Sequence, residues 1–156
     1  MTKEVPSDRY QVETEESQKK EKKKKQYFLP SEQEILGAAT TLFAIGGTVD
    51  SQEKMRRLIL DMLTKENKLY KLSGKRVRKI LLHGGVVKVH IVARESEGAR
   101  PYYVCPVCDT KLSKIINRTL NGSEVIIGYR CPLCGYWAHR KKRVPMRYIF
   151  TFVRNS

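Results

Sequence analysis

Four cysteines, and no others, constrain this chain more than any other feature: Cys105, Cys108, Cys131 and Cys134 are spaced C-x2-C, twenty-two residues, C-x2-C. Zinc takes thiolates in a tetrahedron, and a C-x2-C turn lets the backbone curl so that both sulfurs of a pair converge on one ion. Proline follows the first cysteine of each pair and glycine follows Cys134, residue types that suit tight turns. The spacing predicts one structural Zn2+ held by all four cysteines, with no open position for water and so no catalytic role. A redox dithiol, iron ligation, two disulfides and unliganded thiols are the competing readings. With four thiols available, His139 is read as a surface residue of the basic cluster that follows it.

The twenty-two residues between the pairs have the length of two strands and a turn. "KLSKIINRT" and "SEVIIGYR" flank Leu120-Asn121-Gly122, and Asn-Gly between apolar runs is a strong hairpin signal. Upstream, the pattern is helical. "SEQE" at residues 31–34 is a capping box, after which Ile35, Leu36, Ala39, Leu42 and Phe43 share one face until Gly46-Gly47. A second helix is expected over about residues 50–66, started by Asp50 with Glu53 and striped by Met55, Leu58, Ile59, Met62 and Leu63. Ser73 caps a third in "SGKRVRKILLHGG", with Val77, Ile80 and Leu81 inward and Lys75 and Lys79, flanked by Arg76 and Arg78, outward.

Period two then takes over. In "VVKVHIVAR", Val87, Val89, Ile91 and Ala93 alternate with Lys88, His90 and Val92, which predicts a strand. Glu95-Ser96-Glu97-Gly98 reads as a turn into a second strand, "RPYYV", in which Tyr102 and Tyr103 face opposite ways. The β-prone end, "RVPMRYIFTFV", adds a further strand. The fold class is α+β, with residues 1–29 a disordered charged tail, 30–101 a small three-helix domain with a hairpin, and 102–156 a β-rich unit around the cysteines.

Charge points to the partner. The chain of 156 residues carries 31 Lys and Arg against 16 Asp and Glu, a net +15, with a pI near 9.8. Residues 99–156 hold eleven of the cations against only Asp109 and Glu124. A polyanionic ligand follows from this, and a small-molecule substrate does not. Lys19 to Lys25 is broken only by Glu21, a run that cannot bury a core. With no apolar run of membrane-spanning length and an acidic, polar beginning, the chain is expected to be intracellular: cytoplasmic, nucleoid-associated, or nuclear in a eukaryote.

"YVCPVC" and "YRCPLCG", separated by a hairpin, resemble a zinc ribbon, a three-stranded fold common in transcription, translation and replication proteins. The order helix, helix, helix, strand, turn, strand over residues 31–104 resembles a winged helix-turn-helix. In that family the third helix, here residues 73–83, enters the major groove and the hairpin, here residues 86–104, is the wing. The second helix is longer, and the 67–72 linker looser, than the family pattern. A small helical domain of another topology is the alternative reading. Together the two resemble archaeal-type helix-turn-helix proteins fused to zinc ribbons.

The resemblance implies a nucleic-acid-binding protein without enzymatic activity, duplex DNA being favoured and the role that of a transcriptional regulator or chromatin factor. An RNA- or ribosome-associated factor and a protein–protein adaptor are the alternatives. The candidate contacts are Lys75, Arg76, Arg78 and Lys79 on the third helix, Lys88 and Arg94 on the wing, and Arg130, Arg140, Lys141, Lys142, Arg143 and Arg147 on the ribbon and tail. Tyr136 and Trp137 either stack on exposed bases or pack over the cysteine turn. Catalysis has no motif behind it: H-x-E, a Walker loop, G-x-S-x-G and H-E-x-x-H are all missing.

Overall fold

The computed structural model describes residues 27–44, 46–65, 69–99, 103–139 and 141–153. Most of the expected tail, residues 1–26, lies outside these. Its last residues do not behave as tail: Phe28 forms a parallel bridge with Tyr70, its N–H donating to the Leu69 carbonyl at 3.0 Å and its carbonyl accepting from Lys71 N–H at 2.9 Å. Among the described residues the architecture is α+β, with three helices and two small antiparallel sheets.

Helix α1 spans Glu32–Leu42 and opens on the expected capping box, in which the Ser31 side chain accepts from the Glu34 amide and Glu34 accepts from the Ser31 amide. The other Glu34 oxygen accepts from the Tyr70 hydroxyl, so the cap also fastens a segment thirty-six residues further along the chain. Strand β1, Thr48–Val49, was not foreseen, because two residues carry no periodicity. Helix α2 covers Gln52–Thr64, and its N-cap is Ser51, not Asp50. Asp50 instead pairs with Lys54 and with Arg147. Helix α3, Gly74–His83, starts at Ser73 as expected. Its end packs closely on α1: a Cβ on Gly84 would lie 2.5 Å from a Leu36 methyl. Ile35, Met55, Ile59, Val77 and Leu81 fill the space between the helices, all essentially inaccessible.

Strand β2, Val87–Ala99, departs from expectation in its partner. The expected turn at residues 95–98 lies within the strand, and β2 pairs with the C-terminal strand β6, Lys141–Phe152, from Val87↔Phe152 to Ala99↔Lys141, with a register shift that leaves Glu97 and Gly98 without partners between Ser96 and Ala99. The inward faces explain the choice. Tyr148, Phe150 and Phe152 recur with period two and match Val87, Val89 and Ile91 across the register. Residues 103–104 are drawn into the cysteine turn, where Val104 bridges Lys111. Pro145, which has no amide hydrogen, sits beside a register shift between Val92 and Ala93. With β1 on the far side of β6, the sheet order is β1-β6-β2.

The cysteine-bearing segment is thus inserted between β2 and β6 instead of following a completed hairpin. It forms a second sheet, order β3-β4-β5, from Ser113–Arg118, Glu124–Arg130 and Trp137–Ala138. The turn between β3 and β4 falls at Leu120-Asn121-Gly122, as expected. Among the described residues no helix is long and apolar enough to cross a membrane.

Candidate metal centre and the surface around it

The two cysteine turns are built alike. Asp109 N–H donates to the Cys105 carbonyl at 2.9 Å and Gly135 N–H to that of Cys131 at 3.1 Å. Cys105 N–H donates to the Thr110 carbonyl, and Cys131 N–H to that of Tyr136. The residue after each second cysteine is left-handed, φ 63° at Asp109 and 72° at Gly135. Glycine takes that conformation freely, and aspartate is among the few other residues that tolerate it.

These turns bring together all four sulfurs, every one within 4.8 Å of the others. Cys105 and Cys134 sulfurs are 3.5 Å apart, Cys108 and Cys131 3.3 Å. Zn–S bonds of about 2.3 Å arranged tetrahedrally require roughly 3.8 Å between sulfurs, so these two pairs need open by only about 0.3–0.5 Å to take an ion. Amides point at the sulfurs: Val107 N–H lies 3.4 Å from Cys105 Sγ and Cys134 N–H 3.5 Å from Cys131 Sγ.

The thiols' acidities diverge because they bond to one another and are buried to different degrees. The Cys134 thiol donating to Cys105, helped by backbone amides, holds Cys105 down to about 5. The same bond, then burial, pushes Cys134 far up, and burial also raises Cys108. Four sulfurs this close cannot ionise together unless a positive ion shares them. The donor set is soft, with no carboxylate or imidazole in the cluster, and fits Zn2+ and not Mg2+ or Ca2+. Cys105, Cys108, Cys131 and Cys134 would hold the ion, which would neutralise the thiolates and fasten the two turns together without offering a reactive site.

The first turn docks on α3, and this relocates several expected nucleic-acid contacts. Arg78 is only 5% exposed. Its Nε donates to the Val107 carbonyl at 2.9 Å, its Nη1 to Gln52, and its guanidinium lies 4.2 Å from the centre of the Tyr148 ring. At 100° per residue Arg78 falls between Val77 and Leu82 on the helix surface, inside the buried arc and not on the outward face expected for it. Lys79 pairs with Asp109, and His83 Nε2 lies 2.9 Å from the Cys108 carbonyl. Arg76 donates to the Pro30 carbonyl at 2.8 Å. Lys75 alone of the four expected α3 cations is exposed without an ion pair or internal hydrogen bond among the described residues.

The aromatic pair divides. Tyr136 is buried, with its hydroxyl donating to the Arg143 carbonyl, which makes it core instead of a stacking platform. Trp137 is 40% exposed, but the Arg143 guanidinium covers one face at 3.8 Å and the His139 ring meets it edgewise at 4.8 Å. Lys88, Arg94 and Arg130 are exposed. Lys141 is exposed beside Glu95 at 4.0 Å, Lys142 is half-buried, and Arg147 pairs with Asp50. Arg140 and Tyr102 lie outside the described residues. Gln52 and Tyr148, which meet Arg78, and Asp109, which meets Lys79, escaped the sequence reading, because nothing local to α3 names these distant partners.

Compared with known proteins, the chain matches no family model, no curated protein and no solved structure.

Proposed function

We propose that this chain is a non-enzymatic, zinc-containing nucleic-acid-binding protein whose partner is duplex DNA and whose role is transcriptional regulation or chromatin association. The observation that carries this reading is the topology. Helix, short strand, two helices and two long strands in sheet order β1-β6-β2 support a winged-helix-like reading, in which β2 and β6 would serve as the wing and the cysteine-bearing unit between them as a zinc ribbon. The excess of 31 basic over 16 acidic residues supports a polyanionic partner.

The contact surface in this reading differs from an ordinary winged helix. With Arg78 internal and Lys79 paired, α3 offers chiefly Lys75, and the exposed cations pass to Lys88 and Arg94 on the sheet and to Arg130 on the ribbon. Such contacts give affinity with little sequence choice. The test is competition at one salt concentration among a mixed-sequence duplex, the corresponding single strand and a structured RNA. Duplex should win by at least roughly tenfold, and affinity should fall steeply with salt, by about 0.9 of a log–log unit per phosphate contact. RNA winning instead would install the ribosome-associated alternative.

A further inference from the structure

The β3–β4 hairpin carries apolar side chains that the core does not cover. Leu120, at its tip, is fully exposed, and Ile116 and Ile126, opposite each other in register, are 53% and 41% exposed. The tip is nevertheless rigidly made. Thr119 N–H donates to the Ser123 carbonyl and Gly122 N–H to the Thr119 carbonyl, each at 2.9 Å, while the Thr119 hydroxyl both accepts from Ser123 N–H and donates to its carbonyl. Gly122 supplies the left-handed turn, φ 80°. A well-fastened turn therefore holds a leucine out in solvent.

The flanks are cationic. Lys114 and Arg118 alternate with Ile116 on one strand and so share its face; Lys111 and Arg130 stand at the base. All four are exposed and carry no ion pair among the described residues. Glu124 is the hairpin's only acid.

Resting on the duplex-DNA reading above, we propose that this hairpin is a DNA-bending arm: Leu120 wedges into a base step from the minor groove while Lys114 and Arg118 hold the flanking phosphates. Apolar side chains inserted between base steps bend DNA in this way, and the neighbouring Asn121 amide suits the acceptors on the minor-groove floor. The four cations favour a polyanion over an apolar protein surface. A single strand would want exposed rings to stack on, and the tip has none; the nearest, Tyr129, sits half-buried at the hairpin's base.

Ligase-driven ring closure of a linear duplex of about 110 base pairs, shorter than the persistence length of about 150, tests this without knowledge of a target sequence. The zinc-loaded full chain should speed closure at least tenfold at 50 mM salt. Leu120→Ser should remove that acceleration and weaken binding to the same fragment less than tenfold, with zinc content and circular dichroism unchanged. Lys114→Ala with Arg118→Ala should flatten the salt dependence by about two units of contact. If the full chain binds the fragment without accelerating closure, or Leu120→Ser keeps the acceleration, the arm is refuted and the DNA-binding reading stands. If the full chain does not bind the duplex at all, both fail.

Discussion

Replacing Arg78 by methionine, which keeps the length and apolar stem of the side chain, separates a structural arginine from a DNA-contacting one. Three interactions are lost: the bond to the Val107 carbonyl at 2.9 Å, the pairing with Gln52, and the guanidinium over Tyr148 at 4.2 Å. A hydrogen bond from a charged donor contributes about 1.5–3 kcal/mol, and a shielded cation–π contact about 1–2 kcal/mol. Methionine recovers part of this by packing, and the arginine's own desolvation cost disappears, so the net loss should be about 2–4 kcal/mol. For a chain of 156 residues each kcal/mol moves the melting temperature by about 2–4 °C, giving a fall of roughly 5–15 °C. Thermal melting of zinc-saturated protein measures it, with Lys75→Met as the exposed control, expected within about 0.5 kcal/mol of the parent. An Arg78→Met protein that melts with the parent but binds DNA more weakly would show that Arg78 faces the ligand and that its burial is misassigned.

Mass spectrometry under native conditions should find one zinc per chain, and chelation should not only unfold the ribbon but also loosen α3, because Arg78, Lys79 and His83 are fastened to the first cysteine turn. Hydrogen exchange at residues 74–83 should rise on chelation; unchanged protection there would refute the docking. Gly128→Ala places a Cβ 2.8 Å from the Ala138 carbonyl, and should destabilise the ribbon by about 1–3 kcal/mol, read as weaker zinc retention against a competing chelator. The Tyr70 hydroxyl and the Ser31 cap hold Glu34 below its ordinary value of 4.5, so its contribution is fully present above that pH and is lost as pH falls through the lowered value. Urea titrations from pH 6 to 3 should show a shallower acid loss for Glu34→Gln than for the parent.

What the sequence disclosed was local. Ser31 with Glu34, Ser73, the Asn121-Gly122 turn and the C-x2-C pairs each place partner residues within a few positions, and each is found where expected or one residue away. The four-sulfur cluster was legible because its spacing is itself the geometry. The pairing of β2 with β6 was not, since Ala99 and Lys141 meet across forty-one intervening residues and local alternation says that a strand exists without naming its neighbour. The inward turn of Arg78 was hidden for a related reason: a charged residue beside a helical stripe is usually solvated, and only the distant Val107 carbonyl and Tyr148 ring make it otherwise.

The placement of the ribbon within the sheet changes what the metal does to the chain as a polymer. Before the cysteines share an ion, zipping β6 onto β2 means closing a loop of forty-one residues. Once they do, the path from Ala99 runs through five residues to Cys105, across the ion, and through six more from Cys134 to Lys141. With closure entropy growing as three-halves RT times the logarithm of length, that shortcut favours the sheet by about 1 kcal/mol, some fivefold in its equilibrium. The same shortcut lowers the sequence separation that the slowest pairing must span, so refolding should be faster with zinc present from the start than with zinc added late.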